Sequence, residues 1–389
     1  MQVQSQLVLK ACKRLVLGVA LFSAISQAQA TSDIPYDGSI QNGMDYSGIE
    51  SEIIGMEINE DDELLSIEAA SLFGNVAIGI ANNEYGKLGP YAVKTNAVRG
   101  DCQYIIGLIY RFGAKTGITN PNVKCSPQDG FPVATEVWYP SNIRDLGRLP
   151  VVNFVGGILS NLGNYDALAE LWASHGFIVV NTNDFINVTP LMHAFGAIGV
   201  SIEDKKAGSD LEGRVDLSKM IVAGHSAGSA AAVMSSTLPS DAFQVIDDRI
   251  KIVATMSIQP SVLTSLAALK IKNPTLYLAA QYDEINNKAG TLAYYKLHPS
   301  SQPAWFATAR DASHFSPTRE LGRNEYAGIT TAWLLYQGNN DPAAKKYFVG
   351  SGYRLKQDQQ FVLVPSNIFD RLDLKKYEVQ RNSAANNLR

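Results

Sequence analysis

The stretch Gly224-His225-Ser226-Ala227-Gly228 has the form G-x-S-x-G, and the rest of the chain is interpreted from it. The apolar residues before it suit a short buried strand, and the small residues after it suit a tightly packed helix. In that context the serine lies at the tip of a sharp turn, with its hydroxyl above the helix N-terminus. A Cβ at either glycine is expected to clash with the neighbouring strand or helix. The alternative is a chance match, which suitable partner residues elsewhere in the chain would argue against.

The order of the apolar segments predicts the fold class. From Leu149 onward, short apolar segments alternate with helical patterns. This alternation predicts an α/β fold, with a mostly parallel central sheet flanked by helices on both faces. Right-handed crossovers place the loops that follow the strands on one edge of the sheet, where ligands bind. The predicted strands lie at 103–112, 133–139, 151–155, 177–181, 220–224, 252–256, 275–280 and 305–308.

The first 30 residues have the pattern of a secretory signal peptide. Three basic residues precede an apolar core from Leu15 to Ile25, and Ala28-Gln29-Ala30 has the form of a cleavage site. The apolar core is too short to span a bilayer, and no longer apolar stretch follows, so no membrane span is expected. A buried N-terminal helix is the alternative. We therefore expect a secreted or periplasmic protein.

Composition and charge exclude some classes of partner. The 389 residues have a formal net charge of −4 and a hydrophobic fraction of 46%, which is ordinary for a globular protein. Without the three basic residues of the signal segment the net charge is −7, from 30 basic and 37 acidic residues. Because phosphate binding needs a basic face, we expect no nucleic-acid partner.

The rest of the chain divides into three predicted parts. Residues 31–88 form an acidic N-terminal leader, 89–364 a catalytic domain and 365–389 a polar C-terminal tail, which we expect to be partly mobile. Within the domain, 183–213 mixes apolar residues with Gly and Pro. This segment is expected to be a lid, an apolar wall of the site, or a packed helix with a long loop.

Two cysteines remain after the signal segment, Cys102 and Cys125. An even pair in an oxidising compartment favours a disulfide. It would close a loop of about 24 residues and contribute roughly 3 kcal/mol on the chain-entropy model. Two free buried thiols are the alternative.

A reactive serine needs a base and a carboxylate, which in this architecture follow it in the order acid, then histidine. Of the five histidines, His314 alone comes after both the serine and a predicted strand, at the sheet edge where ligands bind. Asp283 directly follows the predicted strand 275–280 and lies between Ser226 and His314 in the chain. We predict Ser226, Asp283 and His314 as catalytic residues. The alternatives are a surface histidine and a solvated turn carboxylate.

An oxyanion formed at the serine needs two N–H donors. The backbone N–H of Ala227 is one candidate. The turn Gly156-Gly157-Ile158 follows an early strand, and the N–H of Ile158 is the second candidate. The chain has no H-E-x-x-H, no clustered histidines, no G-x-G-x-x-G and no Walker loop. We therefore predict no cofactor and no metal.

Several motifs together resemble secreted bacterial α/β-hydrolases of the cutinase and polyester-hydrolase type, which are related to platelet-activating-factor acetylhydrolases and dienelactone hydrolases. The matching segments are Gly89-Pro90-Tyr91, Trp138-Tyr139-Pro140, Ala173 to Val179, Arg214-Val215-Asp216, Gly224 to Gly228, Asp283, and Ala312-Ser313-His314-Phe315-Ser316-Pro317. The resemblance implies the α/β-hydrolase fold, ester hydrolysis without a cofactor, and Ser226, Asp283 and His314 as the triad. It also implies a small-molecule or polymeric ester as substrate, and we expect a monomer.

The chain departs from that family at four places. Ala227 stands where methionine is usual after the nucleophile, and Ser229 where glycine is usual. The segment 259–262 lacks the tryptophan that stacks on the substrate in polyester hydrolases, and Ile158 replaces an aromatic residue. We expect a secreted serine carboxylic-ester hydrolase without an aromatic clamp. A serine peptidase or amidase, and a non-catalytic binding protein on the same fold, are the alternatives.

Overall fold

The computed structural model describes residues 76–100, 124–126, 133–184, 186–239, 241–283, 285–365 and 370–388, which belong to the unit Ala69–Arg389. The predicted signal segment, most of the acidic leader, the predicted strand 103–112 and Cys102 lie outside the described residues.

Nine strands of the described residues form one mixed sheet in the order β1-β2-β4-β3-β5-β6-β7-β8-β9. The six strands from β4 to β8 in this order are parallel, and β1, β2 and β9 pair antiparallel at the two sides. The strands are β1 Val93–Thr95, β2 Ala134–Pro140, β3 Leu149–Val155, β4 Ile178–Asn183, β5 Val215–His225, β6 Ile252–Ile258, β7 Thr275–Ala280, β8 Ala304–Ala309 and β9 Gln380–Arg381.

Helices cover both faces of this sheet. They are α1 Gly79–Tyr85, α2 Asp166–Ser174, α3 Leu191–Lys205, α4 Ala227–Ser235, α5 Lys288–Leu297, α6 Ala327–Asn339, α7 Pro342–Lys345, α8 Asp370–Lys375 and α9 Ser383–Asn386. Helices α2 and α6 pack with Val152 and Phe154 of β3, whereas α3 packs with Val151, the residue directly before Val152. Because alternate residues of a strand point to opposite faces, the two helix sets lie on opposite sides. The predicted α/β-hydrolase architecture is confirmed.

Segment 183–213 contains a packed helix. Ala197 and Val200 of α3 are buried against the sheet, which matches the third of the three expectations for this segment. Leu191, Phe195 and Ile202 on the same helix are exposed. No helix of the described residues is long and apolar enough to cross a membrane.

The described ends of the chain pack onto the domain. Helix α1, within the predicted leader, lies so close to α6 that a Cβ on Gly328 would be 2.2 Å from the Ala81 backbone. In the predicted polar tail, β9 extends the sheet beside β8, and Ala385 is buried. These contacts attach the described part of the tail to the domain, and the expected partial mobility of the tail stays a prediction. The domain limits taken from the sequence stay predictions.

Candidate active site

The G-x-S-x-G stretch forms a sharp turn between β5 and α4. Ser226, at its tip, has φ 55° and ψ −117°, a conformation that L-residues rarely adopt. A Cβ on Gly224 would lie 2.2 Å from the carbonyl oxygen of Gly228, and one on Gly228 would lie 2.1 Å from that of Val155. The expectation that both positions need glycine is confirmed. The surrounding backbone thus holds the serine in a strained conformation.

The three candidate catalytic residues meet at the carboxyl edge of the sheet. His314 Nε2 is 3.1 Å from Ser226 Oγ, and His314 Nδ1 is 2.9 and 3.1 Å from the two carboxylate oxygens of Asp283. Ser226 follows β5, Asp283 follows β7 and His314 follows β8, and all three side chains are buried. Because a carboxylate only accepts hydrogen bonds, Nδ1 carries the imidazole proton and Nε2 accepts from the serine hydroxyl.

Two backbone donors fix the Asp283 carboxylate. The N–H groups of Ile285 and Asn286 donate to Asp283 Oδ1 at 3.0 and 2.7 Å. The carboxylate therefore holds the turn that follows β7 while it accepts from His314. Its orientation is set by the backbone and does not depend on the imidazole alone.

The two predicted oxyanion donors belong to segments that lie next to Ser226. Ala227 is the first residue of α4, and the N–H groups of a first helical turn have no acceptor within the helix. On the other side, a Cβ on Gly157 would lie 3.2 Å from Ser226 Cβ. The N–H of Gly157 donates to Tyr165 Oη at 2.9 Å, so Ile158 is the next residue of this turn with a donor to offer. The roles of Ala227 and Ile158 stay predictions.

Beneath the serine lies a buried hydrogen-bonded network, here called the polar floor and formed by Gly157, Tyr165, His225, Gln259, Ser313 and Tyr326. His225 Nδ1 is 2.8 Å from Tyr165 Oη, and His225 Nε2 is 2.8 Å from Gln259 Oε1. The amide nitrogen of Gln259 then donates to the Ser313 carbonyl at 2.8 Å and to Tyr326 Oη at 3.1 Å. The floor thus connects the turn at Gly157 to the loop that carries His314.

The protonation states of the floor follow from its burial. Burial, followed by the nearby His314, lowers the pKa of His225 well below its ordinary value, and burial raises the pKa of Tyr165 to about 12. Both groups are therefore neutral near pH 7. Since the Ser313 atom that Gln259 contacts is a carbonyl oxygen, which only accepts, Gln259 turns its NH2 group there and its oxygen to His225. His225 then donates from Nε2 and accepts at Nδ1.

A buried ion pair supports the loop of His314. Arg319 Nη1 is 2.6 Å from Glu325 Oε1, and Arg319 Nη2 donates to Ser313 Oγ at 3.2 Å. Burial raises the pKa of Glu325 to about 7. This pair fixes Ser313, the residue directly before the candidate base.

Several exposed apolar side chains lie on the loops at the sheet edge that carries Ser226, and we call them the apolar rim. They follow the carboxyl ends of β3, β4, β6 and β7, on the same edge as Ser226. Each is between 45% and 89% exposed: Ile158, Ile186, Leu263, Leu266 and Ile285. Exposed apolar side chains beside a candidate site are available to contact an apolar ligand.

Sequence reasoning missed several of these residues. Gln259 and Tyr165 carry no motif, and their contacts join positions far apart in the chain. Asn286 is also new, with Nδ2 3.2 Å from Ser226 Oγ. His225 belongs to the G-x-S-x-G stretch, but nothing in that motif marks its contacts with Tyr165 and Gln259.

The remaining predicted site residues are the two cysteines. Cys125 is buried and exchanges backbone hydrogen bonds with Gly100. Cys102 lies outside the described residues, so the disulfide stays a prediction.

Comparison with known proteins places the chain in a family. Its sequence matches the PETase family, described as PET hydrolase-like, over residues 111–361. It is also 26% identical to cutinase est2 of Thermobifida alba over 211 residues, which cover 53% of this chain and 64% of that cutinase. The resemblance to cutinases and polyester hydrolases is thereby confirmed. Because the family match spans more than half of the 389 residues, the chain belongs to the PET hydrolase-like family of α/β-hydrolases.

Proposed function

We propose that this protein is a serine carboxylic-ester hydrolase that works through an acyl-enzyme. The observation that carries the proposal is the position of His314 between Ser226 Oγ and the Asp283 carboxylate, at 3.1 and 2.9 Å. A hydroxyl, an imidazole and a carboxylate in this order are what nucleophilic catalysis by serine requires.

The reaction begins with acylation. His314 Nε2 takes the proton of Ser226 while Oγ bonds to the ester carbon. Asp283 keeps the imidazole oriented and stabilises its positive charge. The N–H groups of Ala227 and Ile158 donate to the carbonyl oxygen as it becomes negative. The alcohol leaves with the proton from His314, and water then releases the acid by the reverse sequence.

We further propose that the substrate is an ester with an aliphatic acyl part, either a small molecule or a polymer. The apolar rim favours an apolar substrate. A relative named a cutinase is consistent with such an ester. Gln259 lies in the segment 259–262, which lacks the tryptophan that stacks on the substrate in polyester hydrolases. Its side chain points into the floor towards His225. The position therefore offers no ring on which an aromatic acid could stack.

The signal-peptide pattern of residues 1–30 supports a secreted or periplasmic location for the enzyme. Isolation of the mature protein from the medium or periplasm, followed by N-terminal sequencing, tests this. Cleavage after Ala30 is the expected result, and an intact N-terminus in the cytoplasm would contradict it.

The proposed activity is tested by Ser226→Ala. Loss of the nucleophile should lower p-nitrophenyl ester turnover roughly a millionfold, as in other serine hydrolases, while the circular dichroism spectrum is kept. Ser261→Ala is the matched control, because Ser261 lies on the neighbouring loop after β6, outside the Ser226–His314–Asp283 contact. Labelling by a fluorophosphonate should occur in the parent and the control only.

Unchanged turnover in Ser226→Ala would contradict the assignment of Ser226 as the nucleophile. Faster cleavage of p-nitroanilides than of the matching esters would point to a peptidase or amidase. A parent protein that neither turns over esters nor reacts with the fluorophosphonate would be a binding protein on a hydrolase fold.

A further inference from the structure

Asn286 lies on the same turn as Asp283, and its side-chain amide faces the Ser226 hydroxyl. Its Nδ2 atom is 2.9 Å from the Gln259 carbonyl oxygen and 3.2 Å from Ser226 Oγ. A carbonyl oxygen only accepts hydrogen bonds, so the contact with Gln259 identifies the NH2 end of the amide. One hydrogen of this group is used by Gln259, and the other points to Ser226 Oγ.

The position of this amide is fixed by the surrounding structure. The backbone N–H of Asn286 donates to Asp283 Oδ1 at 2.7 Å, and the side chain is half-buried. The carboxylate that orients His314 therefore also places Asn286. A residue with both its backbone and its amide held in this way is not a free surface side chain.

Ser226 Oγ accepts the hydrogen bond from Asn286 Nδ2. Its single proton is directed to His314 Nε2, at 3.1 Å, and its lone pairs remain for Asn286 and for the substrate. A hydrogen bond to an oxygen is strongest when the oxygen carries negative charge. In a serine hydrolase, Oγ carries charge when it attacks in acylation and when it leaves in deacylation. The free hydroxyl already accepts from Asn286 before acylation, whereas the ester Oγ of the acyl-enzyme is a weak acceptor that gains charge as it leaves, so the donor matters more in deacylation.

We propose, resting on the proposed function, that Asn286 is a further catalytic residue that donates a hydrogen bond to Ser226 Oγ during deacylation. In this step His314 Nε2 takes a proton from water, and the water oxygen bonds to the acyl carbon. When the bond from that carbon to Oγ breaks, its electron pair moves to Oγ, and His314 returns the proton there. Asn286 stabilises the charge on Oγ until the proton arrives and keeps its own protons. The products are the free acid and the neutral serine.

The test separates the two half-reactions. Asn286→Leu keeps the approximate shape and removes the donor, and Asn286→Asp replaces the NH2 group with an oxygen. Stopped-flow measurement with p-nitrophenyl butyrate gives the acylation rate from the burst and the deacylation rate from the steady phase. Intact mass after an acid quench gives the acylated fraction. We expect deacylation to slow about tenfold, with acylation changed less than threefold and acyl-enzyme accumulating. The effect is smaller than the ~10² loss typical of one oxyanion-hole donor, because His314 protonates Oγ as it leaves.

Asn287→Ala is the matched control. The Asn287 side chain accepts from Ala289 N–H at 2.9 Å and caps α5, so its loss disturbs the same turn without removing the donor to Ser226. The ratio of the two rates should stay at the parent value. Equal slowing of both steps in Asn286→Leu, no change in either, or the same accumulation in the control would overturn the inference.

Failure of the proposed function gives a different result. If the parent protein releases no p-nitrophenol and resists a fluorophosphonate, the hydrolase assignment fails and this inference falls with it. If the parent turns over and Asn286→Leu keeps the parent's rate ratio, only the role of Asn286 is overturned.

Discussion

The polar floor and the apolar rim lie on two sides of the same serine and are built in opposite ways. The floor is buried and hydrogen-bonded from Gly157 through His225 to Ser313. The rim is at least 45% exposed, and its side chains end in solvent. A buried polar network tolerates little change, because each lost partner leaves an unsatisfied group. An exposed apolar residue is replaced at little cost to the fold.

This difference separates chemistry from substrate choice. The floor holds the turn at Gly157 and the loop that carries His314, so changes there should alter catalytic rates or stability. The rim touches only what approaches the site, so changes there should alter the apparent affinity for apolar esters. The predictions below test whether the two regions can be separated in this way.

The largest effect is expected for Asp283→Asn, in the group that the floor helps to align. An amide cannot accept from His314 and from the turn as the carboxylate does, so the imidazole loses its tautomer and orientation. In serine triads the equivalent change costs about 10⁴ in kcat. Steady-state kinetics with a p-nitrophenyl ester measures it.

Asp311→Asn is the control for that change. Asp311 is only three residues from His314, but its carboxylate pairs with Arg310 at 3.1 Å, and asparagine tolerates its φ of 58°. The control should retain parental activity. More than a tenth of the parental kcat in Asp283→Asn would show that Asp283 is not the orienting acid.

A second prediction concerns acid stability beneath the floor. His193 Nε2 is 3.0 Å from the Ala223 carbonyl of β5, and burial lowers the His193 pKa to about 4. As the pH falls, the unfolded chain therefore binds a proton at His193 near the ordinary histidine pKa, before the folded protein does. The contribution of neutral His193 to the free energy of unfolding is on the order of 3 kcal/mol. It is fully present above about pH 6.5 and is lost as the pH falls through 4.

Urea unfolding of the parent and of His193→Gln at pH 7 and pH 4 measures this contribution. The loss of stability between the two pH values should be smaller in the variant by on the order of 3 kcal/mol. His175→Gln, at a half-buried position, should change it less. An equal pH dependence in the parent and His193→Gln would contradict the assignment of the effect to His193.

The sequence allowed the contact of Ser226, His314 and Asp283 to be predicted because topology restricts which loops can meet. In a parallel sheet the loops after β5, β7 and β8 must meet at one edge, so chain order alone selected Asp283 and His314. The need for glycine at both ends of the G-x-S-x-G turn was predictable, because the turn leaves no space for a Cβ. Packing of the tail was not, since it depends on single buried residues such as Ala385.

The floor was not predictable for a related reason. Tyr165, His225 and Gln259 meet only because three side chains take particular rotamers across three segments of the chain. No spacing rule links them, and Gln259 has a positive φ of 53° that composition does not reveal. Asn286 is equally unmarked in the sequence. Such contacts follow from packing, whereas the meeting of Ser226, His314 and Asp283 follows from topology.

A third prediction uses Tyr165→Phe, which removes one hydroxyl from the floor. Gly157 N–H then loses its acceptor and His225 Nδ1 its donor, so the oxyanion turn loosens. We expect kcat to fall about tenfold, or about 1.4 kcal/mol in the barrier. Steady-state kinetics and thermal unfolding of the variant give both quantities.

Tyr277→Phe is the matched control. Tyr277 is buried and bonds His298 Nδ1 at 3.0 Å, but it lies in β7, away from the serine. Both variants should lose about 1–3 kcal/mol of stability, and only Tyr165→Phe should lose kcat. Equal kcat in the two variants would show that the floor is structural and does not position the site.

The smallest effect is expected at the rim, for Leu263→Ser and Leu266→Ser. These side chains are 89% and 71% exposed, so the fold should lose little stability. If each contacts a long acyl chain, KM for p-nitrophenyl palmitate should rise about fourfold per leucine, equivalent to one buried CH₂ group at about 0.8 kcal/mol. The acetate ester should show no change, because its acyl group is too short to reach the rim.

Val245→Ser, 89% exposed and in the connection before β6, is the control and should change neither KM. A fall in kcat for both esters would mean that rim and floor are not separable, since the rim would then influence the chemistry as well as the affinity.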